Sequence, residues 1–178
     1  MDNLMLVSPK LEYEKEAIEY VNEFIENNSH VNGSAGLPRY IDKYKEWLKK
    51  IEDELKIDQK KLNKIPGSTF FAIRKNDKRI IGIINIRHGL NEKLKIKGGH
   101  IGYSVRPSER RKGYATEILS LGIKKLEEKG IKEALITCDK DNIGSMKTIL
   151  KNYGVLENEL FDEETGKIIQ RYWIKKII

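Results

Sequence analysis

Residues Val105 to Leu119 read VRPSERRKGYATEIL and set four positive charges and one glycine between an apolar run and a helical pattern. Gly113 lets the backbone turn with its N–H groups outward, and the helix that follows adds the positive end of its dipole at the same place. Arg110, Arg111 and Lys112 would strengthen such a cradle, so the spacing suits an anion, above all a phosphate or pyrophosphate. The competing reading is an exposed basic turn that binds nothing. A strand before the turn and a helix after it weigh against that reading.

A second group of residues carries proton or hydrogen-bond chemistry. His100 stands in a strand pattern, whereas His30 and His88 stand in a loop and at a strand end. An imidazole with an ordinary pKa near about 6.5 can take a proton directly or through water, but a strand histidine can equally pack or hydrogen-bond structurally. The sequence leaves both roles open. Asn142 and Ser145 open a helical stretch, where they can contact a ligand or cap the helix, a position that favours Asn. Tyr103, Tyr153, Tyr172 and Trp173 read as core packing, the usual fate of aromatics at strand and helix spacing.

The elements that must position these residues alternate between strands and helices. NLMLV reads as a short strand, and Leu11 to Ile25 as a helix with Tyr13, Ala17, Tyr20, Val21 and Phe24 on one face. After the loop NNSHVNGSAGLPRY, Ile41 to Leu55 is helical with Trp47, Leu48 and Ile51 inward. STFFAIR and RIIGIINIRH form a hairpin about the turn KNDK, and GGHIGYSV is a further strand. Ala115 to Lys129 is a helix ending at Gly130, EALITC a strand, and Asn142 to Tyr153 a helix ending at Gly154. VLENELF and KIIQRYWIKKI close the chain as two strands around DEETG. The order is βααβββαβαββ. Hairpins pair antiparallel, and the strand–helix–strand step through residues 98 to 138 demands a parallel, right-handed crossover, so the sheet must be mixed.

Composition narrows the classes. A chain of 178 residues fits one domain, residues 1–178, with a core that needs no staples. Cys138 is the only cysteine, which rules out an internal disulfide framework and a Cys-based metal site, and fits a reducing, cytoplasmic setting. The beginning, MDNLMLVSPK, has neither a basic n-region nor a long apolar one, and no apolar run is long enough for a bilayer, so no membrane partner is expected. Lys plus Arg outnumber Asp plus Glu, 34 against 27. That excess suits an anionic ligand or a lysine-rich solvated surface.

RRKGYA, Arg110 to Ala115, resembles the Arg/Gln-x-x-Gly-x-Gly/Ala signature of the GNAT acyltransferase superfamily, whose loop holds the pyrophosphate of acetyl-coenzyme A on backbone amides. The strand HIGYSVRP before it, the strand ALITC after it and NIGSMKTILKNYG, similar to the family's Asn-x-x-Ser/Ala helix, stand in the same order as in that family. The likeness runs over roughly residues 68 to 178, and the two N-terminal helices fit the family's substrate side. The form of the central strand further resembles the branch that includes ribosomal-protein N-terminal and aminoglycoside-type acetyltransferases.

The resemblance implies a GNAT-type α/β fold with a mixed, mostly antiparallel sheet flanked by helices. It implies acetyl-CoA as cosubstrate, no metal, and acetyl transfer to a primary amine of a small-molecule or peptide acceptor. Arg110, Arg111, Lys112, Gly113, Tyr114 and Ala115 would surround the pyrophosphate. The backbone of Tyr103, Ser104 and Val105 would pair with the pantetheine arm as an added strand does, with Asn142 and Ser145 hydrogen-bonding nearby. Two positions depart from the family. Ile149 stands where many members carry a tyrosine that protonates the departing thiolate, which leaves that role vacant or moved. His100 stands where many carry a glutamate, which makes it the candidate general base. Acceptor contacts are expected from Asn32 to Tyr40 and from the segment around Asp162 to Lys167, and the final strands offer an edge for a homodimer. Two rivals are a non-catalytic acyl-CoA sensor, suggested by the missing tyrosine, and a nucleic-acid binder, suggested by RYWIKK. The latter is not expected, because the lysines are spread rather than gathered.

Overall fold

The computed structural model describes residues 3–59 and 64–175. The elements are β1 (Leu4–Val7), α1 (Glu14–Glu26), α2 (Tyr44–Leu55), β2 (Gly67–Arg74), β3 (Ile80–Arg87), α3 (Glu92–Ile96), β4 (Ile101–Val105), α4 (Tyr114–Glu128), β5 (Glu133–Asp139), α5 (Ile143–Lys151), β6 (Val155–Asp162) and β7 (Lys167–Lys175). With α3 set aside, the order is the expected βααβββαβαββ. The sequence reading missed α3, a single turn capped by Asn91, whose Oδ1 accepts from the Leu94 N–H at 2.9 Å. The last two residues of the run expected for the final strand, 176 and 177, lie outside the described residues.

Two layers of helix sandwich the first sheet. Ala17, Tyr20, Val21 and Phe24 of α1 pack with Tyr44 and Trp47 of α2 against Phe71, Ile73, Ile80 and Ile83. Ile118, Leu119 and Leu126 of α4 pack on the opposite side with Ala72, Ile81, Ile84 and Ile86. Covered on both faces, β3 reads as an almost unbroken isoleucine run rather than an alternating one. Two aromatic expectations fail: Tyr153 is 70% exposed, at φ 64° just beyond the end of α5, and Trp173 is half-buried outside both core clusters, while Tyr172 is buried in the core and Tyr103 packs against it. The helix stops at Lys151, and the chain turns at Tyr153 before that side chain can face inward.

The single mixed sheet expected from the crossover is instead two antiparallel sheets, because β4 and β5 splay apart rather than pair. Strands β1-β2-β3-β4 make one sheet and β5-β7-β6 another, and every pairing within them is antiparallel. Where the chain enters β4, the one backbone–backbone bond to β5 among the described residues runs from the His100 N–H to the Leu135 carbonyl, 2.7 Å. Beyond it the two strands part. No helix among the described residues is long and apolar enough to cross a membrane.

Candidate functional site

The parting of β4 from β5 opens a cleft of about 1240 Å³ lined by Tyr103, Val105, Thr137, Cys138 and the start of α4. Ladder parity fixes which backbone groups face it. Arg87 donates to the His100 carbonyl and Arg106 to the Ile81 carbonyl, so residues 100, 102, 104 and 106 spend ladder bonds on β3. Ile101, Tyr103 and Val105 therefore turn their N–H groups toward the cleft. Ser104 spends its backbone on β3, and its hydroxyl lies 3.0 Å from that of Tyr20 and donates to the Asn32 carbonyl at 2.8 Å.

At one end of the cleft the chain enters α4 through Gly113, at φ 87°, a conformation costly for any residue with a Cβ. Arg110 donates its N–H to the Pro107 carbonyl, and the helix ladder begins only with Thr116 donating to Gly113. The five N–H groups from Arg111 to Ala115 thus have no hydrogen-bond partner among the described residues. Arg111, Gly113, Tyr114 and Ala115 line the cleft. Unpartnered donors in the turn and at the positive end of a fifteen-residue helix form an anion site of the kind the sequence spacing implies.

The basic side chains around this turn behave differently from one another. Lys112 is drawn to Glu109, 2.8 Å away, and Arg110 donates to the Val105 carbonyl and the Ser29 hydroxyl while lying over the Phe24 ring. Arg111 is exposed and has no ion pair among the described residues. Beneath the turn Glu109, 4% exposed, accepts from Arg74 and Arg79, each at 3.1 Å, as well as from Lys112. Burial works to raise the Glu109 carboxyl, but the Lys112 hydrogen bond and the Arg74 charge outweigh it and hold the group below the usual carboxylate range. Arg106, 2% exposed, is gripped by Glu16 at 2.7 Å and Glu23 at 3.3 Å, and Glu23 also accepts the Ser108 N–H. These buried charges bolt the turn to α1. Glu109, Arg106, Glu16 and Glu23 escaped the sequence reading, because their partners lie tens of residues away and no local spacing marks them.

The opposite wall comes from α5. Asn142 caps it, with Oδ1 accepting from the Ser145 N–H at 3.1 Å, which is the capping role open to it from sequence. The Ser145 hydroxyl lies 3.3 Å from that of Tyr103, across the cleft from its own helix. Burial pushes the Tyr103 phenol up, and the Cys138 thiol up to about 11. Ile149 is buried and has nothing to donate.

His100 sits at the closed base of the splay rather than among the side chains lining the cleft. It is 5% exposed, and its Nδ1 accepts the Leu135 N–H at 2.9 Å. Burial, aided by the Arg87 charge, pushes its pKa down to about 4, so the ring is neutral at pH 7 and a weak base.

A second cavity of about 900 Å³ adjoins the cleft, and His30, Asn32, Gly33 and Arg87 line both. The loop after α1 makes the partition. Gly33, at φ 67°, lies so close to β4 that a Cβ there would stand 2.0 Å from the Gly102 carbonyl oxygen. Ser34, Gly36, Pro38 and Arg39, from the loop expected to meet an acceptor, line this cavity, whereas Thr165 and Lys167 from the other expected segment line the cleft.

The model of a family described as acetyltransferase (GNAT) domain matches residues 4–154, which leaves β7, the central strand of the second sheet, outside the matched segment. No curated protein matches the sequence. Among solved structures, the microcin C7 self-immunity acetyltransferase MccE, in complex with acetyl-CoA and AMP, superposes with TM-score 0.68 at 22% identity over 100% of this chain and 94% of that one. The ribosomal L7/L12 alpha-N-protein acetyltransferase RimL, in complex with coenzyme A, does so at TM-score 0.68 and 18% identity over 100% and 96%. Mutant forms of the spermidine/spermine N-acetyltransferase SpeG from Vibrio cholerae give TM-score 0.66 and 14% identity over 98% and 95%. At these identities the likeness is one of fold.

Proposed function

Because the chain belongs to the acetyltransferase (GNAT) domain family, we propose that it takes acetyl-CoA in the splayed cleft and acetylates a primary amine presented from the second cavity. The observation that carries this reading is the run of five unpartnered N–H groups, Arg111 to Ala115, at the mouth of a cleft walled by open strand edges. The turn and α4 hold the pyrophosphate, with Arg111 the basic side chain at hand. The outward N–H and C=O groups of Tyr103, with the Val105 N–H, pair with an extended arm as a neighbouring strand would. Acetyl-CoA supplies an acetyl group already activated as a thioester.

The remaining tasks fall to few groups. The Ser145 hydroxyl, beside Tyr103, is a hydrogen-bond donor that α5 offers the departing thiolate where Ile149 offers none. A thiolate with a pKa near about 8.5 needs no full proton transfer to leave. His100, neutral and bound to Leu135, serves as a strut that sets the angle of the splay. The amine must then arrive largely unprotonated. An α-amine, with a pKa near about 8, meets that demand far better than a lysine amine near about 10.4. The sensor reading keeps one observation in its favour, the buried Ile149 in the place of a donor to the thiolate, and amine-dependent turnover separates the two.

The reading places the enzyme in the cytoplasm, as one domain, and a homodimer would form along β6, the edge strand of the second sheet that leaves Val155 and Phe161 exposed. Its test is the melting shift with acetyl-CoA. Ligand at about 100 times its Kd adds about 2.7 kcal/mol, a rise of several degrees. No shift with saturating acetyl-CoA or free coenzyme A overturns it.

A further inference from the structure

The second cavity is electrostatically one-sided. Among the described residues Arg39, Lys64, Arg87 and Lys93 line it against a single carboxylate, Glu54, which is itself paired with Lys50. None of those four cations has a carboxylate within 4 Å among the described residues. Elsewhere the fold pairs its buried and half-buried arginines, setting Arg106 against Glu16 and Glu23, and Arg74 and Arg79 against Glu109.

Arg87 is the exception, and it stands on the boundary between the cavity and the cleft. Its Nη1 donates to the carbonyls of Gly98 and Gly99, both at 3.0 Å, which fixes the plane of the guanidinium. Nη2 lies beside Gly102, 3.7 Å from where a Cβ would stand on β4. Burial disfavours the Arg87 charge, and the Glu54 field offsets that only in part. A half-buried guanidinium with donors unpartnered and no counter-ion among the described residues is an unfavourable arrangement that a bound oxyanion relieves, and its planar fork suits a carboxylate or phosphate.

We propose that the acceptor is an anionic amine, one whose carboxylate or phosphate lies a few atoms from the reacting nitrogen and is held by Arg87, with Arg39, Lys64 and Lys93 drawing the acidic remainder into the cavity. The proposal rests on the acetyl-CoA reading of the neighbouring cleft. Polyamines, which carry only positive charge, meet repulsion at every one of these four positions.

The test uses the full chain, acetyl-CoA and matched acceptors that differ in charge alone: Ser-Asp-Glu amide against Ser-Lys-Lys amide, and O-phosphoethanolamine against ethanolamine, with spermidine as the polycation. Acetyl-CoA binding is measured separately by melting shift, so that failure of the cleft reading shows as no shift, and that result overturns both. With binding intact, the acidic member of at least one pair is expected to lead in kcat/KM by about tenfold or more, and the lead falls with salt. Which pair shows the lead identifies carboxylate or phosphate as the anion. Lys93→Glu and Arg39→Glu, both far from the core, narrow or invert the preference, and Arg87→Met abolishes it if the variant folds. Equal or basic-favouring ratios, in turnover and in the further melting shift that each acceptor adds to the coenzyme A complex, overturn the proposal. So does spermidine turnover equal to that of the acidic acceptors.

Discussion

His100 and Leu135 exchange two hydrogen bonds: the His100 N–H donates to the Leu135 carbonyl at 2.7 Å, and the Leu135 N–H donates to His100 Nδ1 at 2.9 Å. A ring nitrogen thus takes the place that the Gly98 carbonyl, already bonded to Arg87, would hold in a parallel ladder, and pairing between the strands ends there. Only the unprotonated nitrogen can accept. The bond therefore requires the neutral ring, and protonation at Nδ1 breaks it.

This relationship sets a pH dependence. The folded-state pKa of His100, about 4, lies below the ordinary value of 6.5, so the unfolded chain binds a proton that the folded chain refuses. The contribution is fully present above pH 6.5 and is lost as pH falls from there toward 4, a change of about 3 kcal/mol. His88, also lowered, adds in the same direction. Denaturant unfolding of wild type and His100→Asn at pH 7 and pH 4.5 should show the variant losing distinctly less stability on acidification. Equal losses would contradict the strut role. So would a kcat/KM profile that loses a limb near pH 6.5 in the variant, the mark of a catalytic base.

In the cradle, backbone does the holding. Gly113→Val forces a β-branched residue into φ 87° and turns the N–H groups aside, so acetyl-CoA binding should weaken by roughly tenfold or more. Arg111→Ala removes one exposed charge and should cost less, and Lys112→Ala, whose amine is already spent on Glu109, less still. Titration calorimetry gives the ranking, and a larger loss for Arg111→Ala would assign the site to side-chain electrostatics.

Glu109→Ala leaves Arg74 and Arg79 facing each other without their shared carboxylate. Removing one partner from a dry pair costs about 3–5 kcal/mol, but Arg79 and Lys112 are partly wet, so about 2–3 kcal/mol is the expected loss. Thermal unfolding measures it. A change under about 0.5 kcal/mol would mean the cluster is solvated and does not brace the turn.

Much of this was legible in the sequence because the signals are local. Ala17, Tyr20, Val21 and Phe24 announce a helix face by spacing alone, and RRKGYA announces a turn whose donors point outward. What stayed hidden depends on contacts across long separations. His100 meets Leu135 across 35 residues, and Ser104 meets Tyr20 across 84, so neither the strut nor the Ser104 contact has a spacing to read. The same holds for the second cavity, whose cations come from the loop after α1, the approach to β2, β3 and α3. The short α3 was missed because five residues carry too little periodicity to show.

The central claim is amine acetylation in the cleft, and its most direct measurement is amine-dependent release of free coenzyme A thiol from acetyl-CoA, with the acetylated amine confirmed by mass. The account predicts thiol release that requires both substrates, saturates with an α-amine acceptor, rises with pH as that amine deprotonates, and falls with the binding loss in Gly113→Val. Tight acetyl-CoA binding with no release above the hydrolytic background, whatever amine is offered across pH 6 to 9, would contradict it and assign the chain to acyl-CoA sensing.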